Sequence, residues 1–185
     1  MLQASSVLII GDSHVRRLQE VSHLLHNHLQ DVVIEWVHRG GADITFAESN
    51  VHRARGHQLV IVMLGGNDIA NGTSPEDLAT QTGRLVDNLH LQGPDNVIVP
   101  SIWPRQSRSF NDRILRYADI MESRHYRDPV LTFWRWDNRQ PWRTYDGVHL
   151  LRRGYERATR TLVAMIVWAI NHNQWWKSNG YEIIM

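Results

Sequence analysis

Five short apolar, β-branched runs, SSVLII, DVVIEWV, LVIVML, NVIVPSI and PVLTFW, recur along the chain, and longer segments of helical character separate them. Strand and helix in strict alternation is the pattern of a βαβ chain. Runs that are almost continuously apolar are what strands buried on both faces of a parallel sheet require. The expected architecture is therefore a three-layer α/β/α sandwich around a five-stranded parallel sheet. Helices are expected over residues 14–29, 43–54, 75–91 and 108–124, the third opened by TSPED with Ser74 as N-cap and Pro75 at the first helical position. A last helix over 151–172 closes the fold. The 185 residues read as one domain, with a tail of about 173–185 outside the core helix. No internal repeat, low-complexity tract or linker interrupts the pattern.

In open parallel sheets, ligands bind outside the carboxyl ends of the strands, where the strand order reverses. With the flavodoxin-like order 2-1-3-4-5, the loops after the first three strands are neighbours at that point. They read Gly11-Asp12-Ser13, Arg39-Gly40-Gly41-Ala42 and Gly65-Gly66-Asn67-Asp68. Each loop has an ordinary reading: Ser13 as a helix cap, the glycine pair as a turn, Asn67-Asp68 as an Asx-turn. Together they supply what serine hydrolysis needs at one edge: a hydroxyl and donors for an oxyanion.

A base and an acid must come from elsewhere in the chain. The sequence has 11 histidines, and most sit in settings without a partner carboxylate at a useful spacing, as His23, His26, His28, His125 and His172 do. TYDGVHLLRRGYE differs, because Asp146 and His149 lie three apart just before the last helix. That spacing lets the carboxylate reach Nδ1 of the imidazole while Nε2 faces outward. His14, beside Ser13 on the chain, reads as helix surface or pocket rim rather than as the base.

GDSH, RGGA, GGND and DGVH, in that order, resemble the four blocks of the SGNH (GDSL-type) hydrolases, and the resemblance covers nearly the whole chain. It implies the flavodoxin-like α/β/α fold and an esterase, lipase, thioesterase or carbohydrate deacetylase that uses no metal and no cofactor. Carried over block by block, it makes Ser13 the nucleophile, His149 the general base and Asp146 the residue that orients it. It also implies an oxyanion hole of the Ser13 N–H, the Gly41 N–H and the Asn67 side-chain amide, with Asp12 bracing the loop. The choice of Gly41 over Gly40 rests on the family pattern alone. GDSHV lacks the second glycine of a G-x-S-x-G elbow, which separates the chain from the α/β-hydrolases. VLIIGDSHVRRL, VIVMLGGNDI and DGVHLLRRGYERATRTL bear a narrower resemblance to the esterase-type domains in the first open reading frame of some animal non-LTR retrotransposons.

The substrate side is less defined. Trp103 and Arg105 follow the fourth strand and Trp142 precedes the DGVH loop, so these three are the expected substrate-binding residues, with core packing and a surface ion pair as their ordinary alternatives. The expected partner is a small ester, an acylated molecule or a lipid. The net charge is +1, with residues 1–100 holding 6 Arg against 11 Asp plus Glu and residues 101–160 holding 13 Arg against 7. The basic later half keeps a rival from another class open, a non-catalytic module that binds lipid or nucleic acid in the cleft. Direct nucleic-acid binding is not expected, because no basic face interleaved with aromatics is evident. The aromatic tail, with Trp175, Trp176 and Tyr181, either folds back or forms a homodimer contact. The longest apolar run, Leu162 to Ile170, falls short of the roughly 20 residues that span a bilayer. With no leader legible at the N-terminus, the cytoplasm is the expected compartment.

Overall fold

The structure, a computed structural model, describes residues 5–26, 28–125, 128, 130–136 and 142–178, without the side chains at 26 and 172–178. Five parallel strands, β1 (Ser5–Gly11), β2 (Val32–His38), β3 (Leu59–Met63), β4 (Asn96–Pro100) and β5 (Leu131–Trp134), form one sheet in the order β2-β1-β3-β4-β5. This is the expected topology. The pleat sends alternate residues of the central strands to two cores. Leu8, Ile10, Val60 and Val62 face α3 (Ile44–Ser49), α5 (Pro75–His90) and α6 (Arg108–His125). Val7, Ile9, Leu59 and Ile61 face α1 (Ser13–Glu20), α2 (His23–His26) and α7 (Arg152–Ser178). Helix α7 presents Ala158, Leu162, Met165, Ile166 and Ala169, a stripe at helical spacing, to the second core.

β1 from Val7 onward and the whole of β3 and β4 are buried, as their apolar runs demand. β2 lies at the sheet edge, where Val33 is 60% exposed, so its apolar sequence does not imply burial on both faces. Among the described residues, no helix is long and apolar enough to cross a membrane.

The helices depart from expectation in identifiable places. The segment expected as one helix over 14–29 divides into α1 and α2, because the Val21 and Ser22 N–H groups turn back to the carbonyls of Leu18 and Gln19. The segment over 43–54 divides at Asn50, whose side chain bonds the Phe46 carbonyl and ends α3 before a 3₁₀ turn at Val51–Ala54. Asn67 and Asp68 lie on a short helix, α4 (Gly66–Ala70), rather than in a simple Asx-turn. Ser74 does cap α5, accepting from the Asp77 N–H, with Pro75 in the first turn. The last helix runs on to Ser178, so residues 173–178 of the expected tail are helical. The Trp175 and Trp176 side chains and all of Tyr181 lie outside the described residues.

Strand register aligns the functional edge. Gly11 pairs with His38 on one side and Met63 on the other, so β1, β2 and β3 end level and their loops start together. Gly11 also admits α1 close to the sheet. A Cβ there would run into Val15 Cγ2 and lie 2.7 Å from the Met63 carbonyl oxygen. Gly11→Ala is expected to destabilise the fold by about 1–3 kcal/mol, read as a lower urea midpoint at unchanged m-value. An unchanged midpoint would show that α1 can move away at no cost.

Candidate active site

The first loop turns from β1 straight into α1. Asp12 has extended backbone, and its Oδ1 accepts from the His14 N–H at 2.8 Å, so Asp12 is the N-cap. Ser13 is the first helical residue, which corrects the reading of Ser13 as the cap. Its side chain, relieved of capping, is turned toward the DGVH loop.

That loop is closed by short-range bonds. Thr144 bridges Leu150, and the Tyr145 N–H donates to the His149 carbonyl at 3.0 Å. Asp146 Oδ1 accepts from the backbone N–H of Val148 at 3.0 Å and of His149 at 2.7 Å. With Oδ1 occupied by the turn, Oδ2 is left for the ring, 2.6 Å from His149 Nδ1. The hydrogen bond from the His149 ring, with those from the backbone, holds the Asp146 carboxyl well below the usual carboxylate range. An ionised carboxylate only accepts, so Nδ1 carries the proton and Nε2 offers its lone pair. Nε2 lies 2.8 Å from Ser13 Oγ. Carboxylate, imidazole and hydroxyl thus form a continuous chain from residues 136 positions apart.

The imidazole has two ring neighbours. Tyr145 stacks on it at 5.9 Å between centroids and 20° between planes, and the Arg17 guanidinium lies 5.3 Å from the Tyr145 centroid. The second is His14, 5.4 Å away between centroids and tilted by 49°. His14 is 9% exposed and its Nδ1 lies 2.8 Å from the Tyr155 hydroxyl, so it is an internal residue of the site rather than helix surface. Burial pushes its pKa down to about 3, with His149 and Arg105 adding to the effect, so it stands neutral beside the chain.

The second and third loops meet through one side chain. Asn67 Nδ2 donates to the Ala42 carbonyl at 2.8 Å and makes a long, 3.5 Å contact with Asp12 Oδ2. Gly41, next to Ala42, has φ +71°, a conformation in which an L side chain is strained. Asp12 is 4% exposed, and burial pushes its carboxyl up to about 6 against the opposing pull of the His14 N–H and Arg105. It braces the loop, as expected.

Trp103, 5% exposed, stacks on Trp136 at 4.6 Å and lies 5.0 Å from the His14 ring, while Trp142 meets Trp103 at 6.1 Å. The Arg157 guanidinium covers the Trp142 ring at 3.5 Å. Trp103, His14, Asp12, Arg105 and Gly66 border a cavity of about 30 Å³, a space of one or two waters. Among the described residues Arg105 forms no ion pair; it is half-buried and its Nη2 donates to Asn67 Oδ1 at 3.1 Å. The contacts of His14 with Tyr155 and of Arg105 with Asn67 are the features that sequence reasoning missed. Their one signal was position, since Arg105 follows β4 on the same carboxyl edge.

A parallel sheet in the order 2-1-3-4-5, flanked by helices, with serine, asparagine and an aspartate–histidine pair on its carboxyl edge, is the fold of the SGNH hydrolases. The model of the GDSL-like lipase/acylhydrolase family matches residues 9–157, most of the chain, and the protein belongs to that family. Solved structures agree on the fold. A carbohydrate esterase family 3 protein from Talaromyces cellulolyticus superposes with a TM-score of 0.75 at 15% identity, covering 91% of this chain and 99% of that one. A member of the lipolytic G-D-S-L family from Veillonella parvula gives 0.71 at 15%, covering 89% and 98%. An acetyl esterase mutant with an acetate ion gives 0.71 at 13%, covering 91% and 99%. None of the curated protein sequences matches.

Proposed function

We propose that the protein hydrolyses carboxylic esters by acyl transfer through Ser13. The observation that carries this reading is the Asp146–His149–Ser13 chain, with hydrogen-bond distances of 2.6 and 2.8 Å. Membership of an acylhydrolase family and a fold shared with esterases support it.

In the first step, His149 Nε2 takes the proton of Ser13 Oγ as Oγ bonds to the carbonyl carbon of the ester. The carbonyl oxygen becomes an oxyanion, facing the N–H groups of Ser13 and Gly41 and the second N–H of Asn67. That Asn67 hydrogen makes only a 3.5 Å contact with Asp12 at rest, so an oxyanion can take it up without breaking a good bond. The intermediate collapses, the bond to the alcohol oxygen breaks, and His149 returns its proton to the leaving alcohol. Water then repeats the sequence on the acyl-serine, releasing the acid and restoring Ser13. Asp146 stays ionised throughout and stabilises the imidazolium. On this reading Trp103, which borders the cavity beside His14, walls the substrate cleft, and Trp142 contributes through its contact with the Trp103 ring.

The test is turnover of p-nitrophenyl acetate by the purified protein with a chelator present. Release of p-nitrophenol at an undiminished rate is expected, since every group in the mechanism is a side chain or backbone N–H. Absence of release, or its loss on chelation, would contradict the reading.

A further inference from the structure

We propose that Arg105 is a positioning residue for the oxyanion, acting through Asn67. It rests on the reading of Asn67 as an oxyanion donor. A guanidinium has donors only, so the Asn67 atom 3.1 Å from Arg105 Nη2 must be the amide oxygen. The contact therefore fixes which way the amide faces: Oδ1 toward Arg105, Nδ2 toward Ala42, Asp12 and the nucleophile's loop. Flipped, the amide would oppose a carbonyl oxygen to the Ala42 carbonyl and lose both bonds.

Arg105 is itself fixed at three points. Its backbone N–H donates to Asn111 Oδ1 at 2.9 Å and its carbonyl accepts from Asn111 Nδ2 at 2.8 Å, a reciprocal pair that ties the loop after β4 to α6. Its guanidinium lies 4.6 Å from the centroid of the buried Phe110 ring. A Cβ on Gly66 would come within 3.3 Å of Nη2, so the glycine gives the guanidinium its close approach to α4. Such bracing suits a preorganised group better than one that follows a mobile ligand.

The electrostatics point the same way. A cation on the amide oxygen draws electron density from the nitrogen and strengthens its N–H as a donor, as hydrogen bonds in series polarise one another. In the transition state the series runs from guanidinium through the amide to the oxyanion, with opposite charges at its ends. On this proposal the partner of Arg105 is a side chain of the site rather than the substrate.

A double-mutant cycle on p-nitrophenyl acetate tests this. Asn67→Ala is expected to lower kcat by about 10²–10³-fold. Arg105→Met should lower kcat by about tenfold with KM within about twofold, and should add less than about twofold to the loss in the Asn67→Ala background. A raised KM at unchanged kcat would make Arg105 a substrate-binding residue and overturn the proposal. An equal loss in both backgrounds would overturn it too, since Arg105 would then act without Asn67. If Arg105→Met does not fold, the cycle is run with the neutral Arg105→Gln: a kcat loss seen only with Asn67 present supports the proposal, and an equal loss, or none, in both backgrounds overturns it. A neutral Asn67→Ala beside an inactive Ser13→Ala would remove the donor role of Asn67, and this proposal with it, while leaving Ser13 as nucleophile.

Discussion

Ser13→Ala is expected to lower ester turnover by about 10⁴-fold or more while leaving the unfolding midpoint nearly unchanged. The two halves of this expectation have separate structural grounds. The loss follows because Oγ is the atom that bonds to the acyl carbon, and no other hydroxyl is within hydrogen-bond distance of His149 Nε2 among the contacts described. The stability follows because the cap of α1 is Asp12, whose bond to the His14 N–H survives the substitution. Alanine also suits a first helical position. Steady-state hydrolysis and urea unfolding on the same preparation read both halves. A variant that retains activity would show that Ser13 is only a helix residue; one that unfolds would leave its chemistry to be judged by Asp146→Asn.

Asp146→Asn is expected to lower kcat by about 10⁴-fold, with the loop geometry kept. The loop dictates this outcome. Oδ1 of residue 146 accepts from the Val148 and His149 N–H groups, so an asparagine would keep its oxygen there and direct its Nδ2 at the imidazole. Nδ2 is a donor, and it would force the proton of the neutral ring from Nδ1 to Nε2. A protonated Nε2 cannot accept from Ser13. The loss should therefore appear in kcat, with KM little changed. A KM effect alone would mean that Asp146 contacts substrate instead of orienting His149.

The sheet was the most legible part of the molecule. Three uninterrupted apolar runs mark the buried central strands, and the glycine-bearing loops after the first three strands follow from the order 2-1-3-4-5. The groups brought together at its edge, Ser13, Asn67, Asp146 and His149, were also legible, because each lies in a strand-end loop or just before the last helix. Finer features depended on backbone angles or distant partners. Asp12 and Ser13 are both good caps, and only the extended backbone at Asp12 decides between them. α4 has five residues, too few to show a helical period. Polar residues after Ile170 suggested an end to the last helix, yet no glycine or proline occurs before Gly180 to enforce one. The burial of His14 depends on Tyr155, 141 residues away, and the setting of Arg105 on Asn67, 38 residues away. Neither pairing leaves a trace in local sequence.

If Ser13 Oγ is an activated nucleophile, it reacts with a fluorophosphonate, and peptide mass spectrometry locates the adduct. The probe's phosphorus is attacked by an activated hydroxyl, fluoride leaves, and the adduct stays on the oxygen that reacted. One adduct is expected, on Ser13, absent from Ser13→Ala and formed far more slowly in Asp146→Asn. An adduct on another residue, or an unlabelled protein that still hydrolyses p-nitrophenyl acetate, would contradict it.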